Sequence, residues 1–404
     1  MNLESYAGIK ELRFDRDLKS FNELMSFYLN TPQRVATMNK KIIAKGPLSP
    51  VDVIYAANAV AYDIATNESM VQSILHGRND LSPEATAAGM SPDFSPWNLV
   101  MLGAALKGKV SLPIDAYSTT CGNFDDQITK CFQVIAQADS CPLRFYEIPR
   151  YDPESEASSL AYLKKELQQL FEWMAFYTGH SVTEEDLHRA ISLGNLLRRD
   201  MAEINTFLAM PKVPIAALEY YLVQMMMGDY AQDPEGLHAL YRELIHELNL
   251  RVNKDQSTPG ISASPVRIYV MGDETQELCV FNAIENYGGV MVGCDFRLSL
   301  YYDVVDEDKT SLDSLTQWLW RMPNNLPTIK RVRDELHLIK KQQPDAVIIS
   351  NVVGSRYISG AERMVIDIVK EELGVPLLSI ETSFPHENVE KVDYQIQAFL
   401  ETIR

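Results

Sequence analysis

The chain has 404 residues, 46% of them hydrophobic and 23% charged, which is an ordinary globular composition and long enough for two or three domains. Its formal net charge of −18 argues against a nucleic-acid partner, because phosphate binding needs clustered Lys and Arg. Five cysteines are too few for a disulfide scaffold, and no apolar run free of charges is long enough to span a bilayer.

The N-terminus reads Met1-Asn-Leu-Glu-Ser, without the basic start and apolar core of a signal peptide. We therefore expect a cytoplasmic protein with no membrane segment. In that compartment the cysteines are free thiols, buried residues or metal ligands.

Residues 1–45 are predicted to form an N-terminal helical segment, since apolar residues from Phe21 to Tyr28 recur at helical spacing. Residues 46–153 are predicted to form a first α/β domain. Ser49 is expected to cap a helix that runs from Pro50 to about Ile64.

The rest of the first domain alternates strand and helix, which indicates a parallel α/β unit. Strands are predicted at about Ile114–Ser118 and at Leu143–Ile148, with a helix over Asp125–Gln137 between them.

Residues 154–258 change to long amphipathic helices, one of which begins with the capping-box-like run Thr183-Glu-Glu-Asp. In residues 259–404 the alternation resumes and predicts a second α/β domain. Its predicted strands are Val266–Met271, Gly289–Gly293, Ala346–Asn351 and Leu377–Glu381.

The predicted fold is therefore α/β, with two parallel-sheet domains of the Rossmann or flavodoxin type, an N-terminal helical segment and a helical insertion between the domains. In such sheets ligands bind beyond the carboxyl ends of the strands. Residues that follow the predicted strands are the first candidates for a site.

Cys121 is the best of these candidates, because it follows a strand and the hydroxylated run Ser118-Thr-Thr. The local pattern leaves three roles open for its thiol: metal ligand, nucleophile or buried core residue. Cys294 also follows a predicted strand and is expected to face the same cleft.

A second candidate is the segment that begins at Asn351, where a predicted strand passes into a helix. Backbone N–H groups at such a turn can hold an anion, with Ser355, Arg356 or Ser359 assisting. An ordinary capped loop explains the same residues equally well. The sequence contains no G-x-G-x-x-G, P-loop, G-x-S-x-G or H-E-x-x-H motif.

In its order of motifs the chain resembles the D-component family of 2-hydroxyacyl-CoA dehydratases, which includes the catalytic subunits of benzoyl-CoA reductase. The resemblance runs from about Gly46 to the end of the chain. The motifs that carry it are Ala88-Gly-Met-Ser-Pro-Asp, Pro113-Ile-Asp-Ala-Tyr-Ser-Thr-Thr-Cys, Tyr146-Glu-Ile-Pro, Met322-Pro-Asn-Asn-Leu-Pro, Asp345-Ala-Val-Ile-Ile-Ser-Asn, Gly360-Ala-Glu and Tyr394-Gln-Ile-Gln-Ala-Phe-Leu-Glu.

The resemblance implies an oxygen-sensitive subunit that pairs with a paralogous second subunit. It implies a [4Fe–4S] cluster held by three cysteines and a separate activator protein that uses ATP to supply a low-potential electron. The implied substrate is an acyl-CoA, which the enzyme either dehydrates as a lyase or, in the benzoyl-CoA branch, reduces at the ring.

Carried over residue by residue, the resemblance assigns Cys121 to the first cluster cysteine and Cys294 to a place near a second. The third cysteine is replaced by Gly354-Ser355. The Ser355 oxygen could then ligate the iron. Ser49 is a candidate substrate contact, and Arg356 is a candidate contact for a CoA phosphate.

Two further hypotheses remain beside this one. The chain could be a clusterless, non-catalytic partner that shapes the interface and the CoA channel, which the missing third cysteine favours. It could also be a small-molecule-binding module with no link to CoA.

Overall fold

The computed structural model describes eight long stretches of the chain and two short ones. They are residue 14 and residues 17–46, 49–69, 71–72, 80–120, 126–272, 278–295, 303–354, 359–382 and 389–404. Cys121, Ser355 and Arg356 lie outside these described residues.

Two four-stranded sheets, parallel throughout, organise the described residues. The strands of the first sheet are β1 (Ile42–Lys45), β2 (Val60–Asp63), β3 (Ala116–Thr120) and β4 (Leu143–Tyr146). The strands of the second sheet are β5 (Val266–Gly272), β6 (Gly289–Cys294), β7 (Ala346–Val352) and β8 (Leu377–Thr382). The predicted α/β fold with two parallel sheets is thus confirmed.

The two sheets have the same topology. The first is ordered β2-β1-β3-β4 and the second β6-β5-β7-β8, so β3 and β7 occupy equivalent central positions. In each sheet the second strand in the chain is added on one side of the first strand, and the third and fourth are added on its other side. The strand order therefore switches direction between β1 and β3 and between β5 and β7. The crevice at this switch point is where open α/β sheets bind their ligands.

Helices cover the sheets and form the section between them. Those of the first part are α1 (Lys19–Leu29), α2 (Thr31–Ala36), α3 (Val51–Ala56), α4 (Ile64–Glu68), α5 (Leu81–Ala87), α6 (Pro96–Leu106) and α7 (Asp126–Asp139). The inserted helices are α8 (Glu156–Thr178), α9 (Glu184–Thr206), α10 (Ala217–Met225) and α11 (Pro234–Asn253). Those of the last part are α12 (Cys279–Asn286), α13 (Ser311–Trp320), α14 (Thr328–Gln342), α15 (Glu362–Leu373) and α16 (Val389–Ile403).

The capping box predicted at Thr183 is confirmed at the start of α9. The Thr183 hydroxyl accepts from the Asp186 amide at 3.1 Å, and the Asp186 carboxylate accepts from the Thr183 amide at 3.1 Å. Two of the free N–H groups at this helix start are therefore satisfied.

The predicted helix from Pro50 to Ile64 was wrong. Helix α3 ends at Ala56, Asn58 has a left-handed φ of 55°, and the following Val60–Asp63 is strand β2. Ile42–Lys45, assigned to the helical segment, is strand β1 and pairs with both β2 and β3. Both strands have four residues and are buried on both faces, so they lack the alternation that distinguishes a strand from a helix.

The apolar core lies on both faces of each sheet. One large cluster joins the inserted helices to one face of both sheets, and two smaller clusters fill the opposite faces. Strand β7 is buried at every residue, as expected for a central parallel strand covered by helices on both sides. Among the described helices, none has the length and hydrophobicity that a membrane span requires.

Candidate functional site between the two sheets

The carboxyl end of β7 lies beside α7, the helix that follows β3 in the chain. Strand β3 leads into the loop that carries Cys121, and strand β7 leads into Gly354 and the loop that carries Ser355. Gln127, at the first turn of α7, donates from Nε2 to the Gly354 carbonyl oxygen at 3.1 Å. The start of α7 and the turn at Gly354, which border these two candidate segments in the sequence, are therefore in direct contact.

Gly354 makes this approach possible. Its φ is +83°, and a Cβ built on it would lie 2.8 Å from the Phe94 carbonyl oxygen and 2.9 Å from that of Asp93. Only glycine combines that backbone conformation with such a short distance to a neighbouring backbone. The turn after β7 therefore packs directly on the segment before α6.

A second contact joins the same two halves at the end of β4. The buried Asn325 donates from Nδ2 to the carbonyl oxygens of Pro149 and Trp320, each at 2.8 Å. Asn325 belongs to the Met322-Pro-Asn-Asn motif and Pro149 to the Tyr146-Glu-Ile-Pro motif. Two motifs that lie far apart in the chain thus meet between the two halves.

Ser49 lies at the switch point of the first sheet. It is buried, and its Oγ donates to the Ser118 carbonyl oxygen of β3 at 3.4 Å. The prediction that Ser49 caps α3 was wrong, because Pro50 is the cap residue and no side chain caps that helix start. The structure thus puts Ser49 beside the strand that leads to Cys121.

Cys294 is the last residue of β6, the edge strand of the second sheet. Its side chain is fully buried in the large apolar cluster, and its Sγ donates to Gln224 Oε1 of α10 at 3.6 Å. Strand β5 separates β6 from β7, so Cys294 lies about 10 Å from β7 across the sheet. Its assignment as an iron ligand stays a prediction, as do those of Cys121 and Ser355.

The described residues alone do not fit a [4Fe–4S] cluster. Such a cluster needs several thiolates around one point, and no group of three or more His, Cys, Asp or Glu lies together among the described residues. Of the candidate ligand thiols only that of Cys294 lies among the described residues, and it is buried in an apolar core and hydrogen-bonded to the Gln224 side-chain amide. Whether this chain carries a cluster therefore depends on the loops that begin at Cys121 and Ser355.

Three polar side chains at the carboxyl edges have buried atoms without a hydrogen-bond partner among the described residues. They are the hydroxyls of Ser118 and Thr119 on β3 and the amide of Asn351 on β7. Gly46 lies against Thr119, because a Cβ on Gly46 would be 2.0 Å from the Thr119 hydroxyl oxygen. Unsatisfied buried groups are rare in native cores, and an ordered water, a bound ion or a catalytic role each explains them.

The last residues of the neighbouring strands β1 and β2 form a buried ion pair. Lys45 Nζ of β1 is 3.2 Å from the Asp63 carboxylate of β2, and both side chains are 2% exposed. The sequence pattern did not predict these residues, because it predicted neither strand. The available signal was a polar residue directly after a short apolar run.

Asp229, in the inserted section, completes this polar cluster. Its Oδ2 accepts from the Asp63 amide at 2.7 Å, from Asn67 Nδ2 at 2.6 Å and from Gln232 Nε2 at 2.5 Å. Burial, reinforced by the Asp63 charge, raises the pKa of Asp229 to about 6. The next three residues, Tyr230 to Gln232, all have left-handed φ angles of 56°, 47° and 63°.

A second buried group of charges lies near the end of β6. Asp295 follows Cys294 and accepts from the Gly272 amide at 2.9 Å. Burial raises the pKa of Asp295 well above its usual value and that of Glu335 to about 7, and the Arg331 guanidinium opposes both shifts. These carboxyl groups therefore retain protons more readily than exposed ones.

The chain was compared with protein-family models and with curated proteins. Residues 48–403 match the protein family described as 2-hydroxyglutaryl-CoA dehydratase, D-component. A comparison with curated proteins gives no match. The family match covers strands β2 to β8, the inserted helices and both contacts between the two halves described above, and strand β1 precedes it.

Proposed function

This chain belongs to the 2-hydroxyglutaryl-CoA dehydratase D-component family, and from that membership we propose that it is a subunit of an oxygen-sensitive iron–sulfur enzyme acting on CoA thioesters. The enzyme would work by low-potential electron transfer and either dehydrate a 2-hydroxyacyl-CoA or reduce a benzoyl-CoA-like ring. The observation that carries the proposal is the match over residues 48–403, which includes both strand edges of the candidate site.

The proposed complex has two further components. A paralogous second subunit would pair with this chain, and an ATP-dependent activator would deliver the electron. ATP would act only through that activator, which agrees with the absence of a P-loop from the sequence.

In this proposal Cys121 is the residue on which a cluster in this chain depends. Soft, anionic thiolates are the ligands that iron–sulfur clusters take. Cys294 and Ser355, or a residue of the partner, would have to complete the set. Ser49 would contact the substrate from the switch point of the first sheet, and Arg356 would contact a CoA phosphate.

A specific observation favours a second candidate function, the clusterless partner subunit. Cys294 is fully buried and hydrogen-bonded to Gln224, and the position of the third cysteine holds Gly354-Ser355. In that case the chain would supply one wall of the cleft and the subunit interface, while the cluster would belong to its partner.

Iron and acid-labile sulfide analysis of the anaerobically purified chain separates the two candidates. A cluster-bearing chain is expected to hold about four iron and four sulfide, and Cys121→Ala should lower both below about one per chain. Cys141→Ala is the matched control, since the Cys141 thiol donates to the Ile114 carbonyl oxygen just before the amino end of β3, whereas Cys121 follows its carboxyl end. This variant should keep the wild-type iron content.

Two results would contradict the cluster assignment. One is a wild-type iron content well below one cubane per chain that Cys121→Ala does not change. The other is full activity of the assembled complex with Cys121→Ser, which the clusterless candidate predicts.

A further inference from the structure

The side chain of Gln127 joins three separate segments at the candidate site. Its Oε1 accepts from the Ser95 amide at 2.7 Å and from Asn98 Nδ2 at 3.5 Å, at the start of α6. Its Nε2 donates to the Gly354 carbonyl oxygen at 3.1 Å, at the turn after β7. One amide therefore connects the first turn of α7 with the start of α6 and with the second half of the chain.

Gln127 is almost fully buried, with 1% of its surface exposed. A buried amide costs free energy unless both of its ends are hydrogen-bonded, and a leucine would fill the same space without that cost. Both ends of this amide have partners, and at each end one partner is a backbone group with a fixed position. The polar side chain therefore sets a geometry in addition to filling space.

The partners of Gln127 lie next to the candidate loops in the sequence. Gln127 comes six residues after Cys121, in the first turn of the helix that follows it, and Gly354 directly precedes Ser355. The close approach of Gly354 to the carbonyl oxygens of Asp93 and Phe94 holds two of these three segments together through the backbone. A change at this amide would therefore displace the turn at Gly354 relative to the start of α7.

We propose that Gln127 is a positioning residue, which fixes the turn at Gly354 against α7, the helix that follows Cys121 in the sequence, and so sets the distance between the start of that helix and the end of β7. This inference rests on the proposed function for its catalytic meaning. Its structural content does not depend on which reaction the complex performs.

The variant Gln127→Glu tests the contact with little change in shape. A glutamate keeps an oxygen to accept from the Ser95 amide, but it replaces the donor to Gly354 by a second oxygen that faces a carbonyl. Loss of one hydrogen bond of about 1 kcal/mol corresponds to roughly fivefold faster local opening. Amide hydrogen exchange in a peptide covering residues 346–360 should therefore accelerate about fivefold or more.

A second measurement concerns position rather than stability. The alkylation rate of Cys121 by iodoacetamide, followed by mass spectrometry in the folded chain, should change at least threefold in Gln127→Glu. Cys141 provides an internal reference whose rate should stay within twofold of wild type. A loss of global stability alone would change both rates together.

The matched control is Gln72→Glu. Gln72 is another buried glutamine, and its Nε2 donates to the Lys109 carbonyl oxygen at 2.8 Å and to Glu68 Oε2 at 3.2 Å, both within the first half of the chain. Its variant therefore costs the first half at least as much as Gln127→Glu without touching Gly354. This variant should leave both the exchange of residues 346–360 and the Cys121 rate within twofold of wild type.

The proposal is overturned if Gln127→Glu leaves either the exchange of residues 346–360 or the Cys121 rate within twofold of wild type. Titration of wild type and Gln127→Glu with an acyl-CoA distinguishes this failure from failure of the proposed function. If wild type binds no thioester while both structural measurements change as expected, the positioning role stands and the CoA assignment fails.

Discussion

At the scale of single residues, the Asp229 carboxylate is stabilised by hydrogen bonds, whereas its burial disfavours the charged form. Three donors converge on its Oδ2, yet the group is fully buried near Asp63 and its pKa is raised to about 6. The unfolded chain ionises this group near its ordinary pKa of 3.8. The folded state therefore binds more protons than the unfolded state between these two values, so stability falls as pH rises through this window.

This difference predicts a measurable pH dependence. Between pH 5 and pH 7.5 the Asp229 carboxyl should lower the free energy of unfolding by about 1 kcal/mol. In Asp229→Asn that contribution is absent, so the stability difference between variant and wild type should shift by this amount in favour of the variant as pH rises. Urea melts at several pH values measure the shift.

Asp255→Asn serves as the control, because the Asp255 side chain is 81% exposed and pairs with Lys212 at the surface. It should follow the wild-type pH dependence. Parallel curves for Asp229→Asn and wild type would show that Asp229 does not titrate in this range.

The sequence could identify the site residues only where a predicted strand preceded them. Cys121, Cys294 and Ser355 became candidates in this way and stay predictions, whereas Lys45 and Asp63 were missed together with their strands. The cluster around Asp229 could not have been found, since Tyr230, Ala231 and Gln232 take left-handed conformations that no residue type there indicates. Their conformation depends on contacts with distant segments, such as the hydrogen bond from Arg34 to the Ala231 carbonyl oxygen.

At the scale of secondary-structure elements, the turn after β7 is the most constrained part of the candidate site. Gly354 and Gly374 both have left-handed φ angles, of 83° and 66°, and both follow regular elements of the second half. Atoms of Phe94 and Asp93 crowd the Cβ position of Gly354, whereas nothing lies within 4 Å of that of Gly374. The two glycines therefore separate the cost of backbone strain from the cost of a broken contact.

We expect Gly374→Ala to cost about 1 kcal/mol of stability, from the left-handed conformation alone. Gly354→Ala should cost at least about 2 kcal/mol, because the added methyl group must also displace the backbone of Asp93 and Phe94. Thermal or urea unfolding of the two variants measures the difference. Equal losses in the two variants would mean that the turn after β7 does not pack on the segment before α6.

Elements were predictable from the sequence where they were long or bounded by clear signals. Helix α9, with its capping box, and strand β7, with its apolar run before Asn351, lie close to their predicted positions. Strands β1 and β2 were not predictable, because four buried residues carry neither a period of two nor a period of 3.6. They form strands because β1 pairs with both β2 and β3, and local sequence does not indicate such pairing.

At the scale of the whole molecule, the two sheets repeat one topology without a repeat in the sequence. The alternation of strands and helices was enough to predict two parallel α/β halves, because that alternation leaves few other folds. The contacts between the halves were not predictable. Gln127 with Gly354, and Asn325 with Pro149, are pairs far apart in the chain that meet only after both halves have formed.

Binding of a CoA thioester to the anaerobically prepared chain tests the central claim most directly. The proposal predicts that at least one member of a panel of 2-hydroxyacyl-CoA thioesters and benzoyl-CoA binds in isothermal titration calorimetry, while the corresponding free acids do not. If no thioester in the panel binds, the assignment to CoA-thioester chemistry is contradicted and a binding module without a link to CoA becomes the better account.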